Sequence, residues 1–352
     1  MSYKETLFFV AKCLTISLED KNFLIVKDKI VKGSVDWDAI VKVSTAHFVF
    51  PALYCNLKRK ELLQFLPEDL VAYMKHIITL NNERNLQIIQ QAKQLDFLLK
   101  ENNIHPVFLK GTAFLLQGFY EEISERMVGD IDFIVSPEVY EDTIQILKKN
   151  GYTNKDHLLN TVKIGNHYPR LVHENKIAAV EIHFRILKPP YDKSFTYETV
   201  KNNISKTAEN SYVLNYDHQV LHTIFNKQAS DYGYWYKTIS LRNNYDLFLL
   251  SKKTNTLQAI KKYNRHFTIL NTFLASSSYI FNHISSIHFV NNKKAATFIK
   301  HQIKFLDFPK KMNANKKIWN FYFENKSRLR KLKLAFVNKN MRKHLLHLIF
   351  KR

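Results

Sequence analysis

The stretch Val128-Gly129-Asp130-Ile131-Asp132-Phe133-Ile134-Val135 constrains this chain more than any other. It is apolar enough to be a strand, and alternate residues of a strand share a face, so the Asp130 and Asp132 carboxylates emerge together. Two like charges held that close repel each other, and burying them unpaired costs several kcal/mol. A cation between them removes the conflict, and carboxylate oxygens are what Mg²⁺ prefers, usually beside substrate phosphates. The pair reads as half of a metal-dependent phosphoryl-transfer site. The plainer alternative is a strand edge with both charges in water.

Upstream, Pro106-Val107-Phe108-Leu109-Lys110-Gly111-Thr112-Ala113-Phe114-Leu115-Leu116 is an apolar run, a glycine, a hydroxyl residue and then a helical pattern. Free N–H groups and the helix dipole at such a turn suit a phosphate. Gly111 permits close approach of the backbone, and Thr112 adds a hydroxyl, although an ordinary helix cap would also explain Thr112. Lys110 either reaches a phosphate or lays its stem beside the sheet with the ammonium in water. Downstream, Ala178 to Ile186 alternates again, with Glu181, His183 and Arg185 on one face. A third carboxylate on a neighbouring strand would complete a metal site or take a proton from an attacking hydroxyl. A solvated face of mixed charge is the competitor. His183 either orients Glu181, relays a proton, or serves structure alone.

Gly111-Thr112, a helix, Gly129-Asp130-Ile131-Asp132 and an acid on a later strand form a pattern similar to the polymerase-beta-type nucleotidyltransferase superfamily. More narrowly, Leu109-Lys110-Gly111-Thr112, Arg126, Gly129-Asp130-Ile131-Asp132, Gly151-Tyr152, Glu181-Ile182-His183 and the run Leu241 to Leu250 resemble a bacterial nucleotidyltransferase family, most of whose members lack an assigned substrate. The resemblance runs from Ile104 to Lys252. It implies an α+β fold, a small mixed β-sheet flanked by helices, with Mg²⁺ (or Mn²⁺) on Asp130, Asp132 and Glu181. It also implies a nucleoside triphosphate whose tail meets Lys110, Gly111, Thr112 and Arg126. The implied reaction moves a nucleoside monophosphate to a hydroxyl acceptor (small molecule, protein or RNA) and releases pyrophosphate. Arg126 has an alternative in a salt bridge to Glu121, Glu122 or Glu125. Arg242 and Asp246, four apart, either pair along a helix or support the substrate.

Competing chemistries find little support. No G-x-x-x-x-G-K-[ST], G-x-G-x-x-G or H-E-x-x-H occurs, and His157, His167 and His173 lack zinc-ligand spacing. Cys13 and Cys55 make no disulfide framework in a chain of 352 residues, which suits a reduced, intracellular setting.

Seven glycines leave little room for tight hairpins, so helices should predominate. Residues 1–103 read as a helical region, 104–200 as the catalytic core, and 201–352 as a helical, strongly basic region. Pro67-Glu68-Asp69 opens a long helix to about Lys100, with Leu70, Tyr73, Ile77 and Leu80 on its expected core face. The aromatic turn Tyr232-Gly233-Tyr234-Trp235-Tyr236 packs between helices or stacks on a base. Charge is uneven: of a net +22, residues 251–352 carry 23 Lys and Arg against only Asp307 and Glu324. Such a surface concentrates anions, so RNA, anionic lipid headgroups and an acidic protein or glycan all fit. Met341 to Phe350 mixes basic and apolar residues as an amphipathic helix on a membrane surface does. No apolar run reaches about 18 residues, which argues against a membrane span. The N-terminus lacks the build of a secretory signal, so the expectation is a cytoplasmic protein, peripheral to a membrane at most. Two functions remain: a metal-dependent nucleotidyltransferase, or a non-catalytic nucleic-acid- or membrane-surface-binding protein that retains the fold.

Overall fold

Two alternating runs form the centre of the molecule. In the computed structural model, which describes residues 1–154 and 165–350, they are strands β2 (Asp130–Ile134) and β3 (Ala179–His183). His157 lies outside the described residues. β2 and β3 run parallel, with Asp132 opposite Glu181 and Ile134 opposite His183. The short β1 (Val107–Phe108) pairs antiparallel with β2 on its other side. Two more strands, β4 (Ile204–Lys206) and β5 (Tyr212–Leu214), complete a five-stranded mixed sheet in the order β3-β2-β1-β5-β4. The α+β class expected from the sequence is therefore observed. The sheet nevertheless reaches beyond residue 200, where only helices were expected. β4 and β5 are three residues each, too short to show a readable alternation.

One face of the sheet is apolar. Ile131, Phe133, Val180 and Ile182 pack with Ile88, Leu95 and Leu99 of the helix Glu68–Glu101 and with Ile144 and Leu147 of the helix Tyr140–Lys149. The other face carries the acids and runs, at Ile134, into a larger core built from both ends of the chain. That core joins the N-terminal helices to Leu241–Ser251 and Phe267–Ile280, so residues 1–103 share their interior with the C-terminal half. Asn22, for example, donates to the Phe281 carbonyl at 3.0 Å. Cys13 and Cys55 are buried free thiols. Among the described residues, no helix is long and apolar enough to cross a membrane.

The helix Glu68–Glu101 corrects one expectation. Leu70 and Ile77 pack against the core, but Tyr73 and Leu80 are exposed. The buried line instead includes Met74, Asn81, Asn85, Ile88, Ala92, Leu95 and Leu99. Its two asparagines hydrogen-bond the loop before β2: Asn81 donates to the Ser124 carbonyl at 2.6 Å, and Asn85 donates to the carbonyls of Ile123 (2.6 Å) and Arg126 (2.8 Å). Polar residues on a core face escape a pattern that counts only apolar ones.

Arg126 anchors the same loop. Its guanidinium grips Asp246 through both carboxylate oxygens, at 3.1 and 3.0 Å, and donates to the Met127 carbonyl at 2.8 Å. Tyr120 also donates to Asp246. Both members of the pair are buried, so breaking it strands a charge in a poor solvent. An Arg126→Met variant should lose about 3–5 kcal/mol of stability in urea unfolding, and adding Asp246→Leu should recover part of that loss.

Candidate active site

Parallel pairing of β2 with β3 puts Asp130, Asp132, Glu181 and His183 on one face. Asp132 and Glu181 are buried and Asp130 is half-buried. Two cations stand among them. The Lys110 Nζ lies 2.5 Å from Asp132 Oδ1 and 3.6 Å from Glu181 Oε2. Arg170 bridges the other two, with Nε 2.7 Å from Glu181 Oε1 and a terminal nitrogen 3.0 Å from Asp130 Oδ2. Among the described residues, three carboxylates thus face the charges of Lys110 and Arg170. Arg170 was not singled out from the sequence. It arrives on a segment that bridges antiparallel to β3, at Leu171–Val180 and His167–His183, and such single bridges leave no periodic signal.

Lys110 reaches this position at a backbone cost. It opens the helix Lys110–Leu116 with φ of 53°, a left-handed conformation that lysine seldom adopts. Gly111 behind it is tight: a β-carbon there would meet Val128 Cγ2 at 2.8 Å. The close approach is therefore to a valine methyl. Thr112 is buried, and its hydroxyl donates to the Asp130 carbonyl at 3.0 Å. Where a hydroxyl open to a phosphate was expected, Thr112 instead ties the turn to the strand that carries the aspartates.

The charges settle in opposite directions. Burial alone would raise the Asp132 carboxyl, but Lys110 and a hydrogen bond from His183 hold it well below the usual carboxylate range. For Asp130, burial and the nearby Glu181 and Asp132 outweigh Arg170, and its pKa is raised. Burial opposes the charge on Lys110, yet Asp132 and Glu181 prevail and its pKa is raised. His183 is pushed down, first by burial and then by Lys110, so the ring is neutral near pH 7. Its Nδ1 lies 3.2 Å from the Asn166 amide nitrogen, and its Nε2 lies 2.9 Å from Asp132 Oδ1. A neutral ring that accepts from Asn166 carries its proton on Nε2 and donates it to Asp132. The ligating atoms of Asp132, Glu181 and His183 fall within 4.8 Å of one another, a spacing that suits a metal ion. With Nε2–H turned to Asp132 and Nδ1 accepting from Asn166, His183 has no lone pair left for a metal, and the donors that remain are carboxylate oxygens, as a hard divalent cation requires.

Three expected site residues lie elsewhere. Arg126 is committed to Asp246 and pairs with none of Glu121, Glu122 or Glu125, which Arg59 takes instead. Asp246 answers Arg126 and Tyr120, so the helical pair with Arg242 does not form. Arg242 lies over the Phe48 ring at 5.0 Å, and among the described residues none accepts a bond from its Nε. The aromatic turn packs between helices: Tyr232 stacks on Phe323 at 3.8 Å and Tyr234 on Phe298 at 5.5 Å.

A family model for an uncharacterised nucleotidyltransferase matches residues 33–270 of this chain. That is more than half of the 352 residues, and the chain belongs to this family. The resemblance read from Lys110-Gly111-Thr112 and Asp130-Ile131-Asp132 is thereby borne out, and family membership indicates transferase chemistry on a nucleotide. The matched span contains every residue of the acidic face and stops before the basic helices that follow residue 290. No curated protein and no solved structure matches the chain.

Behind Lys110 lies His222, buried and pushed down to about 3, chiefly by burial and then by Lys110 and His183. A histidine whose folded pKa is lowered binds fewer protons folded than unfolded, so its contribution is full above about pH 6.5 and is lost as pH falls. Asp132, also lowered, extends the loss into the carboxylate range. The urea midpoint should therefore fall steadily from about pH 7 to pH 4, and His222→Asn should flatten the upper part of that slope whatever its effect on absolute stability.

Proposed function

We propose that the protein transfers a nucleoside monophosphate from a nucleoside triphosphate to a hydroxyl acceptor and releases pyrophosphate. Asp130, Asp132 and Glu181 would hold the divalent cation, Mg²⁺ or Mn²⁺. The supporting observation is the register of β2 on β3, which sets Asp132 opposite Glu181 with Asp130 on the same face. A largely buried face of three carboxylates that meets two cations among the described residues retains affinity for added positive charge. When bound, a divalent cation supplies charge neutralisation to the triphosphate and polarises the reacting phosphoryl group.

The chain's own residues do the rest. Glu181 takes the proton of the acceptor hydroxyl, whose oxygen bonds to the α-phosphorus as the bond to the β-phosphate oxygen breaks. Lys110 and Arg170 neutralise the acids at rest, and both have the reach to turn to phosphate oxygens as a charged nucleotide arrives. Gly111 and Thr112 keep Lys110 at the head of its turn and the turn against β2, close to the triphosphate tail. His183 holds Asp132 in one orientation. Arg126, through Asp246, fixes the loop that delivers β2. The basic residues 251–352 favour an anionic acceptor.

Purified protein incubated with each labelled triphosphate, Mg²⁺ and a cell lysate should release pyrophosphate and yield adducts one nucleotide heavier by mass spectrometry. An Asp130→Asn/Asp132→Asn variant should lose roughly 10²–10³-fold or more of that release. Absence of turnover with every triphosphate, together with salt-sensitive RNA binding that the variant keeps, would identify the non-catalytic binding protein instead. A second readout needs no turnover. Lys110→Met should bind Mn²⁺ more tightly by calorimetry than the parent does, since a competing cation has been removed from Asp132. Unchanged or weaker Mn²⁺ binding would count against a metal on this face.

A further inference from the structure

The helix Pro309–Val337 has no buried residue, and its two sides differ sharply. The inner side meets the aromatic turn: Trp235 lies 6.2 Å from Trp319 and 5.2 Å from Phe323, and Asn315 donates to the Trp235 carbonyl at 2.9 Å. The outer side carries Ile318, Phe321, Tyr322, Leu329, Leu332 and Phe336, each between 50% and 83% exposed. Their spacing gathers them into an arc of about 100°, the width of a face that is normally buried. Lys317 and Arg328 border one edge of the arc, and Lys326 and Lys333 border the other. The helix holds nine Lys and Arg against a single acid, Glu324, which stands 3.8 Å from Arg328. In the following helix, Lys339–Phe350, Arg342 donates to the carbonyls of Ala335 and Phe336, and the Phe336 ring stays exposed.

The geometry points to an anionic lipid surface as the occupant of this face. An apolar stripe with Lys and Arg along both margins lies flat at a headgroup boundary, its rings and leucines in the acyl region and its cations among phosphates. Charge complementarity separates this occupant from the others. A second copy would bring two strongly basic helices side by side, and a polynucleotide has no use for Ile318, Leu329 and Leu332. The stripe lies outside residues 33–270, the span that the family model matches. It stands whether or not transfer chemistry is found.

Full-length protein should co-sediment with phosphatidylglycerol–phosphatidylcholine vesicles and bind far less to phosphatidylcholine alone. Ile318→Glu/Phe321→Glu/Leu329→Glu should lower that binding by more than about tenfold, because each side chain leaves the apolar layer. All three sites are exposed, so circular dichroism and the urea midpoint should stay those of the parent. Lys326→Gln/Lys333→Gln should weaken binding several-fold and flatten its salt dependence. Equal binding to both vesicle types, or unchanged binding by the triple variant, would overturn the assignment. So would a dimer in sedimentation velocity that the triple variant dissociates, or RNA retention lost in that variant without any affinity for vesicles.

Discussion

Everything in the site follows from the conflict between three carboxylates projected from one side of two paired strands. The parallel register makes Asp132 and Glu181 neighbours, and strand alternation adds Asp130. Repulsion on that scale is tolerable only with counter-charge, and two are supplied from different directions. Lys110 comes from the helix that follows β1, and Arg170 comes from the segment folded back along β3. Neither is sequestered for structure alone, since Lys110 is partly accessible and Arg170 is largely so. Counter-ions with this much solvent access stand apart from the buried pair of Arg126 and Asp246.

Such a face works only if β2 is delivered accurately, and the loop before it is held from three sides. Asn81 and Asn85 reach it from the long helix, Arg59 from the helix Phe50–Arg59, and Asp246 from Leu241–Ser251. Buried polar networks are stabilising when every member is satisfied and costly when one is lost. Glu125 illustrates the balance. Burial raises its pKa against the pull of Arg59, and the Tyr245 hydroxyl donates to it at 2.8 Å. The helix Leu241–Ser251, whose Arg242 and Asp246 read in sequence either as a helical pair or as support for the substrate, holds the loop that leads into β2.

Alternation made most of the acidic face readable in advance. Asp130, Asp132, Glu181 and His183 fall where period-two spacing puts them, and Gly111 and Lys110 sit at the expected turn. What stayed hidden depended on long-range partners. Arg126 reads as a loop arginine near three glutamates, and only the fold reveals that Asp246, 120 residues on, is its partner. Arg170 lies on a segment joined by single bridges. Asn81 and Asn85 occupy core positions that a hydrophobicity count assigns to water. The stripe on Pro309–Val337 was hidden for the opposite reason. Its apolar spacing resembles an ordinary core helix, and only the exposure of its side chains distinguishes it.

Lys110 has a consequence of its own. An L-residue in the left-handed region carries a strain of about 1–2 kcal/mol that glycine would not. The backbone at this turn thus favours glycine, while the carboxylates in front of it demand an ammonium. Local conformational ease and the counter-charge that the acids require select different amino acids for one position, and the residue present shows which of the two prevails.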